Sequence, residues 1–275
     1  MFEVTPSGNE TVLYSFAGAP DGAYPGAGGG LVFDANGNLY GTTTAGGDNN
    51  NGTVFEVTPS GKETVLYSFC PDYPYCTDGY DPNGGLVFDK KGNLYGTTPY
   101  GGVGPGTVFK VTPSGKETVL HSFAGGRDGD FPYAGPVFDK KGNLYGTTGS
   151  GGANGKGIVF KVTPSGKETV LYSFCSRSGC TDGNGPPAGL VFDKKGNLYG
   201  TTEYGGDSSC GAPYGCGVVF EVTPSGKETV LYRFTGDSDG WNPLAGLVFD
   251  KKGSLYGTTY NGGTTNHGTV FKLTP

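Results

Sequence analysis

Five aspartates carry the most visible chemistry in this chain. Each precedes a glycine and stands four residues before a proline, in "DGAYP", "DGYDP", "DGDFP", "DGNGP" and "DGWNP". They are Asp21, Asp78, Asp128, Asp182 and Asp239. An aspartate ahead of glycine nucleates an Asx-turn, its carboxylate accepting backbone N–H groups. Five carboxylates on one rim would also suit Ca²⁺ or sugar hydroxyls, although no EF-hand pattern accompanies them. Between aspartate and proline stand Tyr24, Tyr80, Phe131 and Trp241, while the fourth copy offers Asn184 and Gly185. Tyr100, Tyr204 and Tyr260 follow the recurring "NLYGTT" or "SLYGTT". Rings beside carboxylates are the materials of a carbohydrate site, where the ring stacks and the acid orients. The same rings could instead plug gaps between sheets.

Catalysis is harder to build. A glycosidase needs two carboxylates with separated pKa values, and near-identical repeats give each aspartate near-identical surroundings. Asp130 and Glu203 are the carboxylates unmatched in other copies. His121 replaces a repeated tyrosine, and His267 stands alone beside Asn266. With two histidines in the chain, no Ser-His-Asp arrangement is suggested. The expectation is a binding protein, with no catalytic residue, metal ligand or cofactor assigned.

Six cysteines fall in three close pairs, Cys70/Cys76, Cys175/Cys180 and Cys210/Cys216, each inside a glycine-rich insertion. Local disulfides, each worth about 2 kcal/mol, are the expected reading. A zinc site would need two pairs brought together with ligand spacing. Disulfides imply an oxidising compartment, so the chain is expected to be secreted or displayed at a cell surface. "MFEVTPSGNE" has neither the basic start nor the apolar core of a signal peptide, which implies a chain written without its leader. A net charge of −6 argues against a nucleic-acid partner. No run of about 18 apolar residues offers a membrane span.

These residues must be positioned by something regular. Glycine (55 residues) and proline (19) make up about a quarter of the chain, a composition that leans towards disorder, but apolar clusters recur on schedule. Four segments cycle: A, "LVFD"; B, "NLYGTT"; C, "TVFEVTP"; D, "ETVLYSF". The A-segment phenylalanines, Phe33, Phe88, Phe138, Phe192 and Phe249, are separated by 55, 50, 54 and 57 residues. Each segment is short and rich in Val, Phe, Tyr and Thr, which is strand vocabulary. "DKKGN" joins A to B and "PSGKE" joins C to D, both tight hairpin connections with glycine at the position needing positive φ.

Four antiparallel strands repeated at this period predict an all-β, five-bladed β-propeller in a single domain over residues 1–275. The blades cover about 30–69, 85–123, 135–174, 189–234 and 246–275, the last completed by residues 2–16 so that the chain's two ends share one blade. Segment C occurs six times, one more than a five-bladed ring needs. The surplus copy would fray or pair with a neighbouring molecule, through residues 1–6 or 268–275. The A–B and C–D turns share one end of each blade and are nearly uniform. The B–C and D–A loops share the other, vary, and hold every cysteine; function on a rigid scaffold concentrates in such loops. That face is also acidic.

The string "GLVFDKKGNLYGTT…GGxxxGTVFKVTPSGKETVLYSF" resembles the bacterial tandem repeat nicknamed GloVer, found in choice-of-anchor surface proteins, over essentially the whole chain. "GLVFD" followed by "GNLYG" also resembles the first hairpin of NHL and gluconolactonase-type propeller blades. The first resemblance implies an exported propeller with no established reaction. The metal-binding residues of gluconolactonase-type enzymes have no counterpart here, so that activity is not implied. The expected partner is a glycan or another repetitive surface polymer met by the long loops. The alternatives are a building block of an extracellular assembly and a polysaccharide-degrading enzyme.

Overall fold

The glycine of "GNLYGTT" shows why the repeat is so uniform. In a computed structural model, which describes residues 1–26, 28–211 and 213–275, segment C lies antiparallel to segment B. The C-strand phenylalanine covers that glycine. A Cβ on Gly96 would sit 2.5 Å from the ring of Phe109, and one on Gly200 would sit 2.6 Å from Phe220. Any side chain would push the ring out of the core, so each sheet requires a glycine there.

The strands divide between two units, residues 1–122 and 123–275. In the first, Phe2–Val4 pairs with Glu10–Val12 as a two-stranded hairpin. Next comes a five-stranded sheet of Gly22–Pro25, Val32–Phe33, Leu39–Gly46, Thr53–Val57 and Glu63–Ser68. Val87–Phe88, Leu94–Thr98, Thr107–Val111 and Glu117–Ser122 then form a four-stranded sheet in A-B-C-D order. The second unit holds two more such sheets: Val137–Phe138, Leu144–Thr148, Ile158–Val162 and Glu168–Ser173, then Val191–Phe192, Leu198–Thr202, Val218–Val222 and Glu228–Arg233. It ends in a three-stranded sheet of Val248–Phe249, Leu255–Thr259 and Thr269–Leu273.

The all-β expectation therefore holds, with sheets of the anticipated order. Residues 10–12 differ from their expected place: their partner is Phe2–Val4 rather than the final sheet. The tight "PSGNE" turn makes that pairing local, and a short loop closes at low entropic cost. The first sheet also gains an extra strand, Gly22–Pro25, laid along Leu39–Gly46.

Within each unit, neighbouring sheets are joined by ring contacts at fixed places. Phe69, ending one D segment, meets Phe109 of the next sheet edge to face at 5.0 Å, and Phe174 meets Phe220 at 4.9 Å. Each such pair adds about 1 kcal/mol beyond its burial. Each of the four five-residue C–D ladders carries a bulge that leaves one leucine of the D strand, such as Leu66 or Leu171, without a cross-strand partner. The carbonyls of these leucines abut the next C–D turn, where a Cβ on Gly115 or Gly226 would approach to 2.6 Å. The short turns thus contribute to the junctions and are more than solvated connectors.

Short turns are also internally bonded. Asp89 accepts from Lys91 N (2.8 Å) and Asn93 N (2.9 Å) on one oxygen, and from Asn93 Nδ2 (2.7 Å) and Tyr95 OH (3.0 Å) on the other. Asp139 and Asp193 repeat the arrangement.

Candidate functional site

The five Asp-Gly aspartates are occupied by their own loops. Asp182 is fully buried and accepts from Tyr172 OH (2.6 Å), Ser176 N and Oγ (2.8 Å each) and Arg177 N (3.3 Å). Asp78 takes Tyr67 OH at 2.7 Å and Cys70 N at 3.0 Å. Asp21 takes Tyr14 OH at 2.9 Å and Ala17 N at 2.8 Å. Asp239 takes Tyr232 OH and Thr235 N at 2.9 Å and Thr235 Oγ1 at 2.7 Å, and Asp128 takes Ala124 N at 2.7 Å. Burial opposes ionisation of Asp182, but the bonds from Tyr172 and Ser176 outweigh it and hold the carboxyl below its ordinary range. For Asp78 burial prevails and its pKa rises.

The remainder of the motif fastens sheet to sheet. The residue before each proline has left-handed backbone: Tyr24, Asp81, Phe131, Gly185 and Asn242 have φ of 54°, 60°, 61°, 63° and 52°. Pre-proline residues avoid α-type conformations, so surrounding contacts must impose this one. Those contacts are present. Asp81 N donates to Asn51 O (2.9 Å), Gly185 N to Lys156 O (2.9 Å) and Asn242 N to Cys216 O (3.1 Å), each in the preceding B–C loop of the same unit. The proline then sits over a glycine of that loop, and a Cβ on Gly52 would reach 2.5 Å from Pro82 Cδ.

The seven candidate rings separate into kinds. Tyr24 and Tyr260 stand open at 77% and 70% exposure. Tyr80 and Tyr100 stack on each other at 5.3 Å, on a backbone bridge between the two residues. Phe131 stacks on Tyr133 at 6.1 Å, and Tyr204 leans on Tyr214 at 5.7 Å. Trp241 packs against the core cluster that contains Cys210, Cys216 and Phe234.

In the second unit the long loops enclose a cleft of about 320 Å³, whose lining includes Tyr133, Lys156, Asn184, Glu203, Tyr204 and Tyr214. The walls are set by backbone pairing: Asn184 and Tyr204 exchange both N–H···O bonds at 3.0 Å. Tyr204 hydrogen-bonds Glu203, which together with burial pushes the phenol up to about 12. Asp130 runs beside this wall, bridged to Ser150, with Oδ1 buried and without a hydrogen-bond partner. Sequence reasoning named Tyr204 as a ligand ring and Glu203 as an unmatched carboxylate, but missed Tyr133, Tyr214 and Lys156 as lining residues. Tyr133 follows the "DGDFP" motif where other copies carry Gly26, Asn83, Pro187 and Leu244, and Tyr214 lies inside a cysteine-bounded insertion, so neither tyrosine recurs between copies.

All three expected disulfides form, Cys70–Cys76, Cys175–Cys180 and Cys210–Cys216. The third brackets Tyr214. Among the described residues, no group of three or more His, Cys, Asp or Glu could hold a metal ion, and no helix is long and apolar enough to cross a membrane.

The family profile described as "Gloeobacter/Verrucomicrobia repeat" matches residues 1–214 and 176–275. No curated protein matches the chain. Among solved structures, a protein of unknown function from Dyadobacter fermentans aligns at TM-score 0.53 and 12% identity, over 92% of this chain and 78% of that one. A candidate gluconolactonase aligns at TM-score 0.50 and 15% identity, over 99% and 82%. A luciferin-regenerating enzyme aligns at TM-score 0.50 and 14% identity, over 92% of each. At these identities the likeness is one of fold alone, and the antiparallel sheets are consistent with a β-propeller.

Proposed function

Because this chain belongs to the Gloeobacter/Verrucomicrobia repeat family and carries a tyrosine-lined cleft among its long loops, we propose that it is an exported binding module for a glycan or another repetitive polymer. The cleft is the observation that carries this reading. Three phenolic rings offer flat apolar faces for sugar C–H groups, and Lys156, Asn184 and Glu203 supply donors and acceptors at the rim. Tyr24 and Tyr260, open to solvent, offer further weak contacts on other long loops. A ligand that repeats would engage several such points at once, and multivalency turns weak contacts into useful affinity.

The Asp-Gly aspartates act as scaffold in this reading, since their oxygens are held by tyrosine hydroxyls and loop N–H groups. Three disulfides support a secreted or surface-displayed protein. The test is a polysaccharide and glycan array probed with the whole chain. Binding to at least one polymer, reduced by Tyr204→Ala, supports the proposal, and an array with no bound polymer counts against it.

A further inference from the structure

The last sheet lacks a strand that every other C strand of the repeat has. In four sheets segment C carries a D strand on its outer edge, in the same register each time: Thr53↔Ser68, Val54↔Tyr67, Phe55↔Val65, Glu56↔Thr64 and Val57↔Glu63 in the first. The other three sheets repeat it. Among the described residues, the outer edge of Thr269–Leu273 has no strand partner. Packing at this position differs as well: Val54, Val159 and Val219 join clusters with Leu94, Leu198 and Leu255 of the following sheet and are 0% exposed, whereas Val270, at the same repeat position, is 80% exposed.

The neighbouring junction also lacks a side chain. Where the sheets of residues 137–173 and 191–233 meet, Val230 of the D strand packs against a cluster containing Phe174, Phe220 and Val222. In the corresponding cluster around Phe234, Phe271 and Leu273, no D-strand valine is present among the described residues. A groove of about 200 Å³ lies there, lined by Val219, Tyr232, Phe234, Val270, Phe271 and Leu273 among others. A D-type strand would extend the ladder and fill that groove with its valine.

The chain possesses one D-type segment outside the four complete ladders, Glu10–Phe16. Its partner, Phe2–Val4, supplies three paired residues, and all three are exposed. We propose that Thr269–Leu273 of one molecule docks the segment Glu10–Phe16 of a second copy, displacing that copy's residues 2–4. The repeat register dictates the pairing: Leu273 opposite Glu10, Lys272 opposite Thr11, Phe271 opposite Val12, Val270 opposite Tyr14 and Thr269 opposite Ser15, with Leu13 as the bulge. Five paired residues replace three, and the second copy's first sheet, joined to its Glu10–Phe16 segment through Phe16 and Phe55 at 4.9 Å, is brought over Val270. The contact is heterologous, so copies add head to tail.

Light scattering on the whole chain over a wide concentration range tests this, with a labelled synthetic peptide Glu-Thr-Val-Leu-Tyr-Ser-Phe as competitor. The expected result is association that grows with concentration and is suppressed by the peptide but not by a scrambled one. Val270→Lys and Val12→Asp, both at exposed positions, should each weaken association by roughly tenfold or more while circular dichroism stays unchanged. A chain that stays monomeric at every concentration overturns the proposal, whether the edge remains empty or the chain's own residues 10–16 occupy it. Association indifferent to both variants and to the peptide overturns it equally. Glycan binding, read separately, is independent of either result.

Discussion

Arg177 donates from Nη2 to Glu228 Oε2 at 2.6 Å, and the Glu228 side chain is wholly removed from solvent. Glu228 opens a D strand, and Glu63, Glu117 and Glu168 open three others. All four leave Oε1 buried without a hydrogen-bond partner. The chain therefore places a poorly satisfied carboxyl at the head of each complete outer strand and supplies a guanidinium to one of them.

Removing that guanidinium leaves a buried charge. Arg177→Met should destabilise by about 1–3 kcal/mol, with the partial exposure of Arg177 moderating the loss. The deficit should be larger at pH 8 than at pH 6, because at the lower pH Glu228 can protonate. Thermal melts of Arg177→Met and of the Arg177→Met/Glu228→Gln pair check this, and the second change should restore most of the loss.

The same carboxyls set a pH dependence. Burial first, and then the nearby aspartates Asp21, Asp78 and Asp128, raise Glu63, Glu117 and Glu168 from 4.5 to about 7, 8 and 7; Lys110 pulls Glu117 partly back. Burial also takes Glu228 to about 7 against the pull of Arg177. A raised carboxyl means the folded chain holds the proton more tightly than the unfolded one. The stability from these groups is present in full below their unfolded value near 4.5 and is lost as pH rises through 7 to 8. The turn aspartates act in the opposite sense. Burial opposes the ionised form of Asp89, Asp139 and Asp193, but bonds within the turn outweigh it and lower their pKa. Their contribution is lost as pH falls below about 4. Melting temperature should therefore peak in mildly acidic solution and decline towards pH 8. Glu117→Gln should flatten the alkaline side, and an unchanged slope would contradict this assignment.

Asp182 accepts four hydrogen bonds. Asp182→Ala removes the acceptor shared by Tyr172 OH, Ser176 Oγ and two backbone N–H groups; the two hydroxyls keep their mutual bond at 2.9 Å, and the change should cost about 1–3 kcal/mol in a denaturant titration. A cost below 1 kcal/mol would return these aspartates to the list of free ligand groups.

Much of this was legible in the sequence, for a physical reason. Strands and disulfide pairs are local or repeated, so spacing alone locates them. The pairing of residues 10–12 was not, because two nearly equal C-type segments compete for one D-type segment and composition does not rank them. The role of the Asp-Gly motif was left open between turn and ligand, because the tyrosine hydroxyls that fill it come from the preceding D strand and not from the motif itself. The burial of Glu63 and its counterparts was missed, since "PSGKE" reads as a solvated turn until the neighbouring sheet is packed against it. The cleft depends on Tyr133 and Tyr214, tyrosines that no other copy repeats, and a repeat-based reading passes over such residues.

Disulfide reduction should separate scaffold from site. Loss of Cys70–Cys76 should cost about 2 kcal/mol of stability and leave the cleft intact. Loss of Cys210–Cys216 should also release Tyr214 and weaken polymer binding. Cys76→Ser/Cys70→Ser and Cys210→Ser/Cys216→Ser, compared for melting temperature and binding together, check the distinction.

The most direct measurement is the affinity of a bound polymer for Tyr214→Ala beside Tyr260→Ala, by titration calorimetry. Tyr214 lines the cleft and Tyr260 stands free on another loop. We expect the first change to weaken binding by roughly tenfold and the second by much less, as for a ring inside a site compared with one outside it. Equal affinities for wild type and Tyr214→Ala, or a loss confined to Tyr260→Ala, would contradict the cleft as the binding site.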